Sequence, residues 1–250
     1  MSNKVALVTG GARRLGRDIS LSLAEAGFDI VMNYSGSSPE TVAETAGEIE
    51  KFGVKAYPVK ADISRSGEVE AMFDMVRKEA GRLDVLVNNA AIFEGVDFFD
   101  ITEEYIDTFL GINLKGTLFC SQQGAKLMLE SGAGKERENR RRIINMCSLG
   151  GILNWSRFIP YSVAKAGVHK LTKITARKLA PEILVNGIAP GTIVIEDDPN
   201  YTVDPEEVKK YPMKEFGKAS DITSLIKYLA KENEYITGHI FIVDGGRVLV

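Results

Sequence analysis

The chain has 250 residues, of which 44% are hydrophobic and 26% charged, the balance of a water-soluble globular protein. A net charge of −3 argues against a general nucleic-acid binder, and two histidines leave little for a histidine-built metal site. Cys120 and Cys147 share no metal-ligand spacing and fall in apolar stretches, so they read as buried thiols in a reducing compartment.

Short β-branched runs alternate with longer amphipathic ones from end to end. Val5–Val8 predicts a strand, 15–26 a helix, and 30–33 a second strand. A helix over 39–52 follows, opened by Ser38 as N-cap with Pro39 in its first turn. Strand 54–59, helix 68–80 and strand 85–88 come next, then helices over 103–113 and 117–129. Residues 135–142 interleave glutamates with arginines and lack aromatics, which reads as a solvated turn and not a nucleic-acid patch. Strand 143–147, helix 161–179, strand 184–188, helix 221–230 and strand 240–243 complete the pattern. Such alternation, with nearly continuous apolar strands, predicts an α/β chain: a single-domain, doubly wound, seven-stranded parallel sheet over 1–250, the Rossmann fold.

One segment breaks the rhythm. Residues 191–218 carry Glu196, Asp197, Asp198, Glu206 and Glu207 among prolines and tyrosines, with little apolar periodicity. The segment follows a strand's carboxyl end, where ligands bind in such sheets, and predicts a substrate lid. No run approaches the ~20 apolar residues that span a bilayer. The apolar part of the amino terminus is too short for a signal peptide, so a cytoplasmic protein is expected.

The carboxyl ends of the predicted strands gather the residues suited to a nucleotide. The first strand runs into Thr9-Gly10-Gly11-Ala12-Arg13-Arg14-Leu15-Gly16 and then a helix, whose positive end would face a pyrophosphate. Asn33, Tyr34 and Ser35 end the second strand without the carboxylate that accepts from an NAD ribose. Arg13 and Arg14 stand ready for a 2′-phosphate, which points to NADP(H). Asp62 and Ile63 suit an adenine edge and face. Asn89, Ala90 and Ala91 allow a backbone to pass close to a cofactor.

Tyr161 and Lys165 lie one helical turn apart, with Ser148 upstream. A free phenol titrates near pH 10; a neighbouring ammonium favours its phenolate and brings it towards general acid/base work. Ser148 is suited to hydrogen-bond a substrate oxygen beside them. Phe93, Trp155 and Phe158 suggest a partly aromatic substrate pocket.

These motifs resemble, in order and over residues 4–246, the short-chain dehydrogenase/reductase family: the turn over 9–16, Asp62, Asn88-Asn89-Ala90, Asn113, Ser148, Tyr161 with Lys165, Pro190-Gly191, and Asp244-Gly245-Gly246. The resemblance implies that Tyr161 is the general acid/base and that Ser148 polarises the substrate carbonyl. Lys165 would tune Tyr161 and hold the nicotinamide ribose, and Asn113 would anchor a proton-relaying water. Pro190, Gly191, Thr192 and Ile193 would contact the nicotinamide and its carboxamide. It also implies a homotetramer built partly through the helices at 117–129 and 161–179. Arg14, where most members have glycine, resembles the pteridine reductases, as do Phe93 and the compact stretch 179–183. Ser148 and the Leu149-Gly150-Gly151-Ile152 that follows it resemble the 3-oxoacyl-carrier-protein reductases instead.

The expected function is thus NADP(H)-dependent hydride transfer between nicotinamide and a small-molecule ketone or secondary alcohol, 3-oxoacyl-carrier-protein reductase-like, with a pteridine reductase as the alternative. An acidic carrier would use basic surface such as Lys170, Lys173, Arg177 and Lys178, though the acidic lid would oppose it. A sensor that binds NADP without turnover would be expected to lack Tyr161 or Lys165.

Overall fold

The computed structural model describes residues 3–195 and 205–250. Strands β1 (Val5–Val8), β2 (Asp29–Tyr34), β3 (Ala56–Lys60), β4 (Val85–Asn88), β5 (Arg141–Met146), β6 (Ile183–Pro190) and β7 (Ile240–Val243) form one parallel sheet. Its seven strands lie in the order β3-β2-β1-β4-β5-β6-β7. Helices α1 (Arg14–Glu25), α2 (Pro39–Glu50), α3 (Ser66–Glu79), α4 (Glu103–Leu110), α5 (Thr117–Glu130), α6 (Ile159–Leu179) and α7 (Ala219–Lys231) connect and cover them.

Where both faces of the sheet are covered the strands run apolar, as in β1, over Val85–Val87 of β4 and over Ile183–Val185 of β6. In β1, Val5 and Leu7 join Val69, Met72 and Phe73 of α3 in one core. Ala6 and Val8 point the other way, to Ile19 and Leu23 of α1 and Ile226 of α7. Each strand thus divides its residues between two cores with period two. The strand order turns back between β1 and β4, so the loops leaving Val8 and Asn88 diverge and open a crevice.

One expectation changes. The predicted helices over 103–113 and 117–129 are one helical run, because α4 passes through a wide π-turn, Gly111–Gly116, directly into α5. Asn113 is drawn out of the run towards Ile92: its Oδ1 accepts from the Ile92 N–H (2.9 Å) and its Nδ2 donates to the Ile92 carbonyl (3.0 Å). A wide turn absorbs the extra residue without ending the helix.

Of the predicted substrate lid over 191–218, residues 191–195 and 205–218 are described. Glu196, Asp197 and Asp198 lie outside the described residues. The flanks of the segment are ordered by pairing, since Ile193–Val194 and Gly217–Lys218 form a short parallel ladder. Glu206 pairs with Lys209 and Glu207 with Lys210, so the acids there carry their own counter-charges. Among the described residues, no helix is long and apolar enough to cross a membrane.

Candidate active site

Thr9, at the end of β1, is buried and ties the crevice together. Its Oγ1 accepts from the N–H groups of Asn89 (2.9 Å) and Ala90 (3.0 Å), and Asn89 Nδ2 donates to the Thr9 carbonyl (2.9 Å). Gly10 follows at φ +62, and a Cβ on Gly16 would lie 1.9 Å from the Gly10 carbonyl oxygen. Only glycine closes this turn. Helix α1 then starts with no acid in its first turn and no side chain capping its amides. Its donors and positive end are left for an anion in the crevice, so the donor set fits a dinucleotide pyrophosphate.

Asn33 borders the crevice, but its amide is engaged inside the fold. Its Oδ1 accepts from Gly10 N–H (3.3 Å) and its Nδ2 donates to the Ala61 carbonyl (3.0 Å), which braces the glycine turn against β3. Residues 33–37 carry no carboxylate, and Arg13 and Arg14 lie exposed across from them. Arg14 adopts φ +52, a left-handed conformation that costs a non-glycine residue about 1–2 kcal/mol. Asp62 Oδ1 accepts from Ser64 N–H (2.9 Å) and Oγ (2.8 Å), so this carboxylate organises the loop after β3.

At the other end of the crevice, α6 presents Tyr161 in its first turns. The ring meets Phe93 edge-on at 4.8 Å, and Phe93 stacks on Phe158 at 4.5 Å and 8°. Trp155 closes the group edge-on to Phe93 at 6.3 Å. Lys165, one turn on, is 3% exposed; its Nζ donates to the Met146 carbonyl (2.7 Å) and lies 5.8 Å from the Tyr161 ring centre. Burial pulls the Lys165 ammonium down to about 8, the adjacent Cys147 opposing that pull. Burial pushes the Cys147 thiol up to about 11, against Lys165 and Thr172, so it stays protonated at neutral pH. Ser148 Oγ accepts from Gly150 N–H (3.0 Å), which directs its own proton elsewhere.

These groups surround one cavity of about 430 Å³. It brings together all the residues expected at a nucleotide, Gly10 through Ile193, except Lys165, which sits behind the wall; Ser148, Phe93 and Trp155 also line it. Asn113 lies outside, behind Ile92. Sequence reasoning missed Thr9 as a clamp, and Ile92, Ile112 and Ile195 in the wall. An isolated isoleucine carries no signal that separates a cavity wall from a core. Asn88, first of the Asn88-Asn89-Ala90 motif, ties elements together: its Nδ2 donates to Ser121 Oγ (2.9 Å) and Asn145 Oδ1 (2.8 Å), and Asn145 Nδ2 reaches Thr172 Oγ1 (2.9 Å). This buried chain joins β4, β5, α5 and α6 beneath the site.

A family model described as short chain dehydrogenase matches residues 4–200. A 3-oxoacyl-[acyl-carrier-protein] reductase of Staphylococcus epidermidis is 37% identical over 248 residues, covering 98% of each chain. A 3-oxoacyl-[acyl-carrier-protein] reductase of Synechocystis sp. is 34% identical over 252 residues, covering all of this chain and 98% of its own. Among solved structures, acetoin dehydrogenase from Salmonella typhimurium superposes with a TM-score of 0.89 at 32% identity, covering 99% of this chain and 97% of that one.

Proposed function

Because the chain belongs to the short-chain dehydrogenase family, oxidoreductases that use a nicotinamide cofactor on C=O and CH–OH groups, we propose that it is an NADP(H)-dependent ketone reductase acting on 3-oxoacyl thioesters of a carrier protein. The observation that carries this reading is the Tyr161 phenol in the cavity wall with the buried Lys165 ammonium 5.8 Å from its ring. The relatives named for that reaction align over nearly the whole chain, which supports the substrate class.

When bound, NADPH supplies the hydride. The protein's residues handle the proton. Ser148 Oγ, which accepts from the Gly150 N–H, keeps its own proton to donate to the substrate oxygen. Tyr161 protonates that oxygen as the alcohol forms, and the Lys165 charge stabilises the phenolate left behind. Asn113, with both ends of its amide on Ile92, serves in this reading as a positioning residue that fixes the wall leading to Phe93.

Two features support NADP over NAD: residues 33–37 offer no carboxylate, and Arg14 is held in a strained left-handed conformation at the cavity rim. Strain kept at a site is a reason to look for its use. The Phe158 ring already covers one face of Phe93, which favours a slender ketone over a flat pterin. The test is an NADPH-oxidation screen over acetoacetyl thioesters, small diketones and dihydropterins, repeated with NADH. Acetoacetyl thioesters with NADPH are expected to react best. Arg13→Ala with Arg14→Ala is expected to cost about 10-fold or more in NADPH preference, the value of one or two charge-assisted hydrogen bonds, with NADH unaffected. An NADH preference in the unaltered enzyme sinks the NADP assignment.

We further propose a homo-oligomer. Leu118 on α5 and Val163 and Ile174 on α6 are apolar and exposed, on the helices the family resemblance marks. Sedimentation is expected to give a species larger than 27.4 kDa; a monomer at micromolar concentration would refute it.

A further inference from the structure

Tyr211 is 4% exposed and lies in the segment leading to Gly217, far from the catalytic helix in sequence. Its ring wedges between two turns: a Cβ on Gly191 would come within 3.2 Å of Cε1, and one on Gly245 within 3.4 Å of Cδ1. Phe216 packs edge-on at 5.3 Å. The hydroxyl at the tip of the wedge accepts from the Thr192 N–H (3.1 Å) and donates to Thr192 Oγ1 (2.8 Å).

A phenol has one proton, and here it goes to Thr192. The proton left over in this pair is the one on the Thr192 hydroxyl, and Thr192 lines the cavity. The pair therefore presents a fixed donor to the cavity, suited to a carbonyl oxygen. Resting on the nicotinamide reading above, we propose that Tyr211 is a positioning residue for the nicotinamide end of the cavity, acting through Thr192. Its hydroxyl orients the Thr192 proton towards the carboxamide oxygen of the cofactor. The same contact couples the 205–218 segment to cofactor binding.

Tyr211→Phe keeps the ring wedge and deletes only the hydroxyl. Thr192→Val removes the proposed donor directly and leaves the wedge alone, so it also serves should the first variant fold poorly. Binding of both ligands is read directly by calorimetric titration. NADPH is compared with 2′,5′-ADP, which lacks the nicotinamide. The Kd for NADPH is expected to rise about 3- to 10-fold in either single variant, the worth of one hydrogen bond. The double variant is expected to add nothing more, and the Kd for 2′,5′-ADP is expected to stay constant throughout. Wild-type NADPH affinity in Tyr211→Phe overturns the assignment. So do losses that multiply in the double variant, or an equal loss for 2′,5′-ADP, which would mark general loosening. A wild-type protein that binds neither NADPH nor NADH instead sinks the cofactor reading on which the proposal rests.

Discussion

Tyr161→Phe is expected to lower turnover by about 10²- to 10⁴-fold, the contribution of a positioned general acid, with NADPH affinity and thermal stability close to wild type. The substitution separates proton transfer from architecture. Phenylalanine keeps the edge-on contact with Phe93 at 4.8 Å and the packing against Gly150, so the aromatic wall survives. Only the hydroxyl is lost. Ser148 can still hydrogen-bond the substrate oxygen, but a neutral serine hydroxyl is a much weaker acid than the phenol and does not replace it. The measurements are NADPH oxidation with an acetoacetyl thioester and direct NADPH titration. Turnover within a few-fold of wild type would remove Tyr161 from the chemistry and leave the cavity as a binding site.

Much of the architecture behind that prediction is legible in the sequence. A strand buried on both faces must be apolar at every position, and a helix over a sheet must be apolar on one stripe; β1 and α1 obey both rules without ambiguity. The glycine turn and the Tyr161/Lys165 spacing were legible because they are local: each needs residues within one or two turns of one another. What stayed hidden depends on contacts between distant segments. Asn33 reads as the absence of a carboxylate, whereas it is a strut from Gly10 to Ala61. Asn113 ends the first of two predicted helices, whereas its amide closes on Ile92 and the helical run continues past it. The bond from Tyr211 to Thr192 joins two segments that share no periodicity, and composition marked that region only as acidic and irregular. Polar side chains in a buried wall must find partners. Which partner each one finds is a property of the assembled sheet.

Lys165 couples that wall to both pH and stability. A lysine in the unfolded chain keeps its proton up to about pH 10.5, whereas in the folded protein burial brings it to about 8. Between these values the unfolded chain binds a proton that the folded chain does not, so stability rises with pH through that window. Below pH 8 the full penalty for the buried cation applies, about 3 kcal/mol from the shift in pKa. Lys165→Met removes the penalty and also the hydrogen bond to the Met146 carbonyl, worth about 1 kcal/mol. The ligand-free variant is therefore expected to melt roughly 2–8 °C above wild type at pH 7, with the gap closing as the pH approaches 10. Catalysis moves the other way: turnover is expected to fall at least about 10²-fold without the charge that supports the Tyr161 phenolate. Wild-type affinity for NADPH is expected to weaken as the pH rises past about 8 and Lys165 loses its proton, while the variant's affinity stays flat over the same range. Calorimetry and NADPH titration across that range give both readouts. A variant that melts below wild type at neutral pH would show that the ammonium is held for the fold; the opposite result shows that the fold bears the cost of a charge kept for its chemistry.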